Sequence, residues 1–193
     1  MRSSRLKPSV QISVPFLCAL ILFLIWDPTG LGGQMVLAAV LHEAGHLLAM
    51  ACLGKRPQRI VFGGFGVRIE TPPGVQVAYG KEALIYAAGP AVNLLLAAAF
   101  SACPAVWRTH LVLGLFNLLP MGVLDGGQIL RCVLQQRMEM DRADFWMKAC
   151  SFFCGVIMAC GAAAVWLTSG YNFSLLITTG YLFSLLFAGN SEV

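Results

Sequence analysis

Between Leu31 and Leu53 the chain runs for 23 residues in which Gln34, His42, Glu43 and His46 are the only strongly polar side chains. About 20 helical residues cross the hydrocarbon of a bilayer, and a backbone at that depth must satisfy its own hydrogen bonds. Further apolar blocks lie near 11–26, 82–103, 111–124, 145–168 and 171–188. Composition agrees: 58% of the chain is hydrophobic and 11% charged, against about 25% charged in ordinary soluble domains. The expected fold is an all-α polytopic membrane protein with about six transmembrane segments. No linker or second polar block divides it, so residues 1–193 read as a single integral-membrane domain.

Arg2, Arg5 and Lys7 precede the apolar run 14–26, but no clean small-x-small cleavage site follows, so this run reads as a retained first span. The seven cysteines lie in apolar stretches without CxxC spacing and read as packing residues. Alternation from a cytoplasmic N-terminus puts Lys55, Arg56, Arg59, Arg68, Lys81, Arg131, Arg137, Arg142 and Lys148 on the cytoplasmic side, and leaves Arg108 outside. The net charge of +4 is then a topology signal and calls for no nucleic-acid partner.

Two segments interrupt the helical pattern. In "NLLPMGVLDGGQIL", residues 117–130, Pro120 and the Gly126–Gly127 pair argue for a broken helix. Irregular backbone at membrane depth is tolerated only where protein or a water-filled cavity satisfies its polar groups, so the break suggests a site. Between the second and third apolar blocks, Val67 and Ile69, then Val75 and Val77, alternate with polar residues around "TPPG". This predicts a small β-hairpin on the cytoplasmic side, within 60–79.

His42 and His46 stand at i and i+4, stacked on one helical face, so both can direct a ring nitrogen at one ion. Zinc fits that geometry. Glu43 lies off the ligand axis but within reach of a water at the ion, as in the H-E-x-x-H metalloproteases. A carboxylate at membrane depth costs about 3 kcal/mol unless it is paired, which makes Glu43 a functional candidate.

Catalytic zinc takes three protein ligands and keeps an open position. The third candidates are His110, a cysteine and Asp125. His42 and His46 lie about 12 to 18 Å from the cytoplasmic end of their helix at 1.5 Å per residue. Asp125 lies on a segment heading for cytoplasmic Arg131, so its depth can match, whereas His110 adjoins Arg108 at the opposite surface. The competing role for Asp125 is a helix cap at the Gly-Gly turn.

HEAGH at 42–46, AAGPAVN at 87–93 and NLLPMGVLDGG at 117–127 occur in that order. Together they resemble the site-2 protease family of intramembrane zinc metalloproteases over a core of about 30–135, most closely its compact bacterial branch, which includes a sporulation-factor protease. The resemblance implies one zinc per chain on His42, His46 and Asp125, with Glu43 as base. It also implies that Asn117 holds substrate or the developing oxyanion, and that Asn93, Gly89 and Pro90 line or brace the site. A multi-pass protein of the bacterial cytoplasmic membrane would follow. Its substrate would be a single-span membrane protein, for example a membrane-tethered transcription factor, an anti-sigma or a pro-sigma protein. The PDZ and CBS domains of many relatives are not expected, nor regulation through them. The alternative is a non-hydrolytic zinc-binding membrane protein, a transporter or pseudoprotease, which would need the ligands but not Glu43.

Overall fold

A computed structural model describes residues 9–25, 27, 29–55, 59–63, 66–70, 78–170 and 174–188. In chain order these form β1 (Ser9–Ile12), α1 (Val14–Ile25), α2 (Leu31–Cys52), β2 (Arg59–Gly63), β3 (Gly66–Glu70), α3 (Tyr79–Ala99), α4 (Pro104–Asn117), α5 (Asp125–Arg137), α6 (Met140–Ser169) and α7 (Ser174–Ala188). They fall into two compact units, Met1–Leu115 and Phe116–Val193.

In the first unit, α2 is held at both ends by local hydrogen bonding. The Asp27 carboxylate accepts from the backbone N–H groups of Thr29 at 3.0 Å and Gly32 at 2.5 Å, satisfying one of the donors a helix start leaves open. At the other end Gly54 has φ 74, and the N–H of Lys55 reaches the Met50 carbonyl at 2.9 Å while that of Gly54 reaches Ala51 at 3.3 Å. This is a Schellman closure, and its left-handed residue is where a glycine is favoured. Lys55 then pairs with Glu82 in the first turn of α3 at 3.0 Å.

Helices α2 and α3 pack closely because Gly45 has no side chain: a Cβ there would stand 2.8 Å from the Ala88 carbonyl oxygen and 2.9 Å from Val92 Cγ2. Small residues at such crossings bring backbones together where lipid offers no hydrophobic force between helices. Helix α4 begins with Pro104 at its first position, where a missing N–H is harmless. It approaches α3 at Gly114, which faces Leu94 and Asn93.

The three strands make one sheet in the order β1-β2-β3. β1 runs parallel to β2, from Ser9↔Arg59 to Ile12↔Phe62, and β2 is antiparallel to β3, closing at Gly63↔Gly66. The hairpin expected around TPPG is therefore not supported. Gly66–Glu70 pairs with the preceding strand, not with a following one, and 71–77 lie outside the described residues. Glycines close the observed pairing, and they reach the positive-φ conformations of tight hairpins at less cost than other residues.

In the second unit the chain from Leu118 to Leu124 folds back on the start of α5. Pro120 sits at the centre of a three-residue turn in which Met121 N–H bonds the Leu119 carbonyl at 2.8 Å. A Cβ on Gly126 would come within 2.1 Å of the Leu118 carbonyl oxygen, and one on Gly127 within 1.9 Å of that of Met121, so main chain lies directly on main chain. Ser151 of α6 secures the fold-back: its Oγ accepts from Gly122 N–H at 3.0 Å and donates to the Met147 carbonyl at 2.8 Å. Helices α6 and α7 meet where Gly155 faces the ring of Phe183.

Polarity is inverted relative to a soluble domain. Leu48 on α2, Leu95 on α3 and Ile157 on α6 are 65%, 69% and 73% exposed, whereas His42 is 5% exposed and Asn93 fully buried. Three helices, α2, α3 and α6, are long and apolar enough to cross a membrane, and the chain is an integral membrane protein. The expectation of about six spans is corrected. Each apolar block does contain a helix, but α1, α4 and α7 have 12, 14 and 15 residues, because Pro104 and the break after Asn117 confine α4 and Gly170 separates α7 from α6.

Candidate metal centre

His42 and His46 stack one turn apart on α2 and both are buried against α3. Their rings are 4.8 Å apart and nearly perpendicular, with the two Nε2 atoms 3.1 Å from each other. The outer nitrogen of each ring is engaged. His46 Nδ1 meets the Ile85 carbonyl at 2.7 Å and must donate to it, which leaves its proton on Nδ1 and Nε2 bare. The carbonyl lies beside a turn weakened by Pro90, which has no N–H for the carbonyl of Tyr86. His42 Nδ1 lies 3.1 Å from Asn93 Nδ2.

Gly89 backs the pair. Any Cβ at this position would collide with the Nε2 atoms of both imidazoles. Outer nitrogens anchored and inner nitrogens facing each other, with space kept beside them, is the donor arrangement from which two histidines hold zinc. The residues present fit that ion. Glu43, next along α2, is neither fully buried nor fully exposed, as a group that meets both the site and water requires.

Asn93 is fully buried, and both ends of its carboxamide are used: Nδ2 on His42, and Oδ1 at 3.1 Å from Nδ1 of His110. The sequence reading put His110 at the opposite surface. It is instead 5% exposed and packed on Asn93, because α4 folds back along α3. One signal was available in the sequence. Gly114 stands one turn beyond His110 on the same helical face, and such a small residue marks a close helix approach.

In the second unit Asp125 is the first residue of α5, in its first turn, where a carboxylate is favoured by the helix dipole. Leu124 occupies the cap position, so Asp125 is not the helix cap that competed with the ligand role. Asn117 is the last residue of α4, just before the fold-back.

The fold these elements define is that of the site-2 proteases: the chain superposes on a site-2 protease from Methanocaldococcus jannaschii with a TM-score of 0.67 at 19% identity, covering 95% of this chain and 91% of that one. Residues 106–161, which carry Asn117 and Asp125, match the model of peptidase family M50. The proteins named "Putative zinc metalloprotease Rip3" in two Mycobacterium tuberculosis strains are 34% identical over a stretch covering 56% of this chain and 32% of theirs. The aligned part is thus about a third of the length of those relatives. The three findings agree on the site-2 protease family and support that assignment for this chain.

Proposed function

We propose that the protein is an intramembrane zinc metalloprotease that hydrolyses peptide bonds of membrane-embedded substrates. One observation carries the reading. Two buried imidazoles on an apolar helix turn their Nε2 atoms together over a glycine that leaves them room, with a carboxylate as the next residue on the chain.

His42, His46 and Asp125 form a trio whose side chains could together hold a metal ion, and in this proposal they hold one zinc per chain. Bound zinc supplies Lewis-acid polarisation and lowers the pKa of water towards ~7. Glu43 takes the proton of the attacking water as its oxygen adds to the peptide carbonyl, and delivers it to the leaving amine nitrogen. The Asn117 carboxamide donates to the oxyanion that develops on the carbonyl. Asn93, Gly89 and Pro90 brace the histidines. The substrate is a single-span membrane protein whose cytoplasmic part is released, such as a tethered transcription factor, an anti-sigma or a pro-sigma protein. The protein sits in the bacterial cytoplasmic membrane with its N-terminus in the cytoplasm.

Glu43→Gln tests this. Glutamine is nearly isosteric but accepts no proton, and loss of a general base costs about 10² to 10⁴ in rate. The variant should retain zinc and fail to release fragments from a tethered substrate at matched expression. Cleavage at the wild-type rate would favour a non-hydrolytic zinc-binding protein.

A further inference from the structure

We propose that His110 is a positioning residue for the metal centre: through the Asn93 carboxamide it sets which nitrogen of His42 is bare. The inference rests on the metalloprotease reading and concerns how its site is made ready to receive zinc.

Two histidines can hold one ion through their Nε2 atoms only if neither Nε2 carries a proton. For His46 the fold decides this unconditionally, because the Ile85 carbonyl can only accept and fixes the ring proton on Nδ1. His42 has no such backbone partner. Its Nδ1 faces a carboxamide, which offers an oxygen or an NH₂ group of nearly the same size. The end presented to His42 depends on what the other end meets, and that is Nδ1 of His110.

The two orientations of Asn93 define two states of one heavy-atom framework. In the observed orientation Asn93 Oδ1 faces His110 and Nδ2 faces His42. His110 then donates from Nδ1, Asn93 donates to His42 Nδ1, and the His42 proton sits on Nε2. From there it bridges the 3.1 Å to the bare Nε2 of His46. Four hydrogen bonds run in one direction from His110 to the Ile85 carbonyl, and the inner nitrogens bond to each other. With the carboxamide turned by half a rotation, Oδ1 accepts from His42 Nδ1–H and Nδ2 donates to a bare His110 Nδ1. Both inner nitrogens are then lone pairs, and a metal can be held.

The exchange conserves protons. Each of the three imidazoles is neutral in both states. The His42 proton moves from Nε2 to Nδ1 and the His110 proton from Nδ1 to Nε2, both by way of water, and no proton is gained or lost. Because Asn93 is fully buried, a turn that needs no new volume is the one its packing permits. His110 touches neither substrate nor ion in this scheme. It acts by making the second orientation of Asn93 a satisfied one.

The test uses the full chain in detergent, ring-¹⁵N-labelled at histidine, with and without Zn²⁺. His110 should carry its proton on Nδ1 without zinc and on Nε2 with zinc, while His46 keeps Nδ1–H throughout. A purely structural histidine would show one tautomer in both conditions. In parallel, His110→Phe keeps the ring volume but leaves one end of Asn93 unpaired, and its zinc affinity should fall about 10- to 100-fold, the usual effect of losing an outer hydrogen-bond partner. His110→Asn, with a carboxamide in place of Nδ1, should restore most of that loss. An unchanged His110 tautomer overturns the proposal. So does wild-type zinc affinity in His110→Phe when His46→Ala has lost binding. Wild-type affinity in His46→Ala would overturn the metal site itself, and this proposal with it.

Discussion

A methyl group on Gly89 would sit 2.4 Å from Nε2 of His46, well inside van der Waals contact, and 2.7 Å from Nε2 of His42. Gly89→Ala should therefore push both imidazoles off their present axes while leaving α3 helical, since alanine is the better helix former. Misplacing reacting groups by about 1 Å costs on the order of 10² in rate. The expected result is loss of bound zinc and at least that loss of cleavage, with an unchanged far-ultraviolet circular dichroism spectrum. Full zinc content in the variant would show that the histidines have another way to open.

Asp125→Ala should reduce zinc content as severely as His46→Ala does, if Asp125 is the third of the three protein ligands that catalytic zinc takes. Metal analysis of the purified variants decides this. Stoichiometric zinc in the Asp125 variant would remove it from the ligand set.

Ser151→Ala should loosen the fold-back ahead of α5. It strips Gly122 N–H of its acceptor at 3.0 Å on a residue that is nearly fully buried. An orphaned buried donor costs about 1–3 kcal/mol. Amide hydrogen exchange at Gly122 should accelerate correspondingly, with α6 itself unaffected. Unchanged exchange there would mean that the glycine contacts alone hold the segment.

The Asp27 carboxyl is held below the ordinary carboxylate range, first by the hydrogen bond from the Thr29 hydroxyl and then by the backbone N–H groups of Gly32 and Thr29, with desolvation opposing. Its folded pKa is depressed, so its contribution to the start of α2 is present above the ordinary value of 3.8 and disappears as pH falls through the lower folded value. Protection of the Gly32 amide should be constant from neutral pH down to that range and lost only in stronger acid. Asp27→Asn should flatten the acid limb of that profile.

The histidine pair was legible in the sequence because i, i+4 stacking is a property of the helix itself and needs no tertiary information. What holds the pair was not. The Ile85 carbonyl is main chain and leaves no mark on a sequence, and the contact of His110 with Asn93 arises only when α4 lies against α3. The same limit governs the sheet. "TPPG" is the stronger local turn signal, yet the observed pairing closes at Gly63 and Gly66, and strand partners are chosen by the whole segment rather than by one turn. The span count failed for another reason. Hydropathy registers apolar residues whether or not one helix is long enough to carry them across, and α1, α4 and α7 are short.

The main-chain contacts of Gly126 and Gly127 with the carbonyls of Leu118 and Met121 also bear on how this chain can vary. Connecting segments usually accept added or deleted residues with little penalty, since closing a longer loop costs only about 0.6 kcal/mol per doubling of its length. This one has no slack, because backbone is already seated on backbone between Asn117 and Asp125. A residue gained or lost there would shift the carboxylate along α5 and rotate it about the axis by about 100°. The interval between the two side chains behaves as a fixed ruler, and changes of length are tolerated elsewhere in the chain before they are tolerated here.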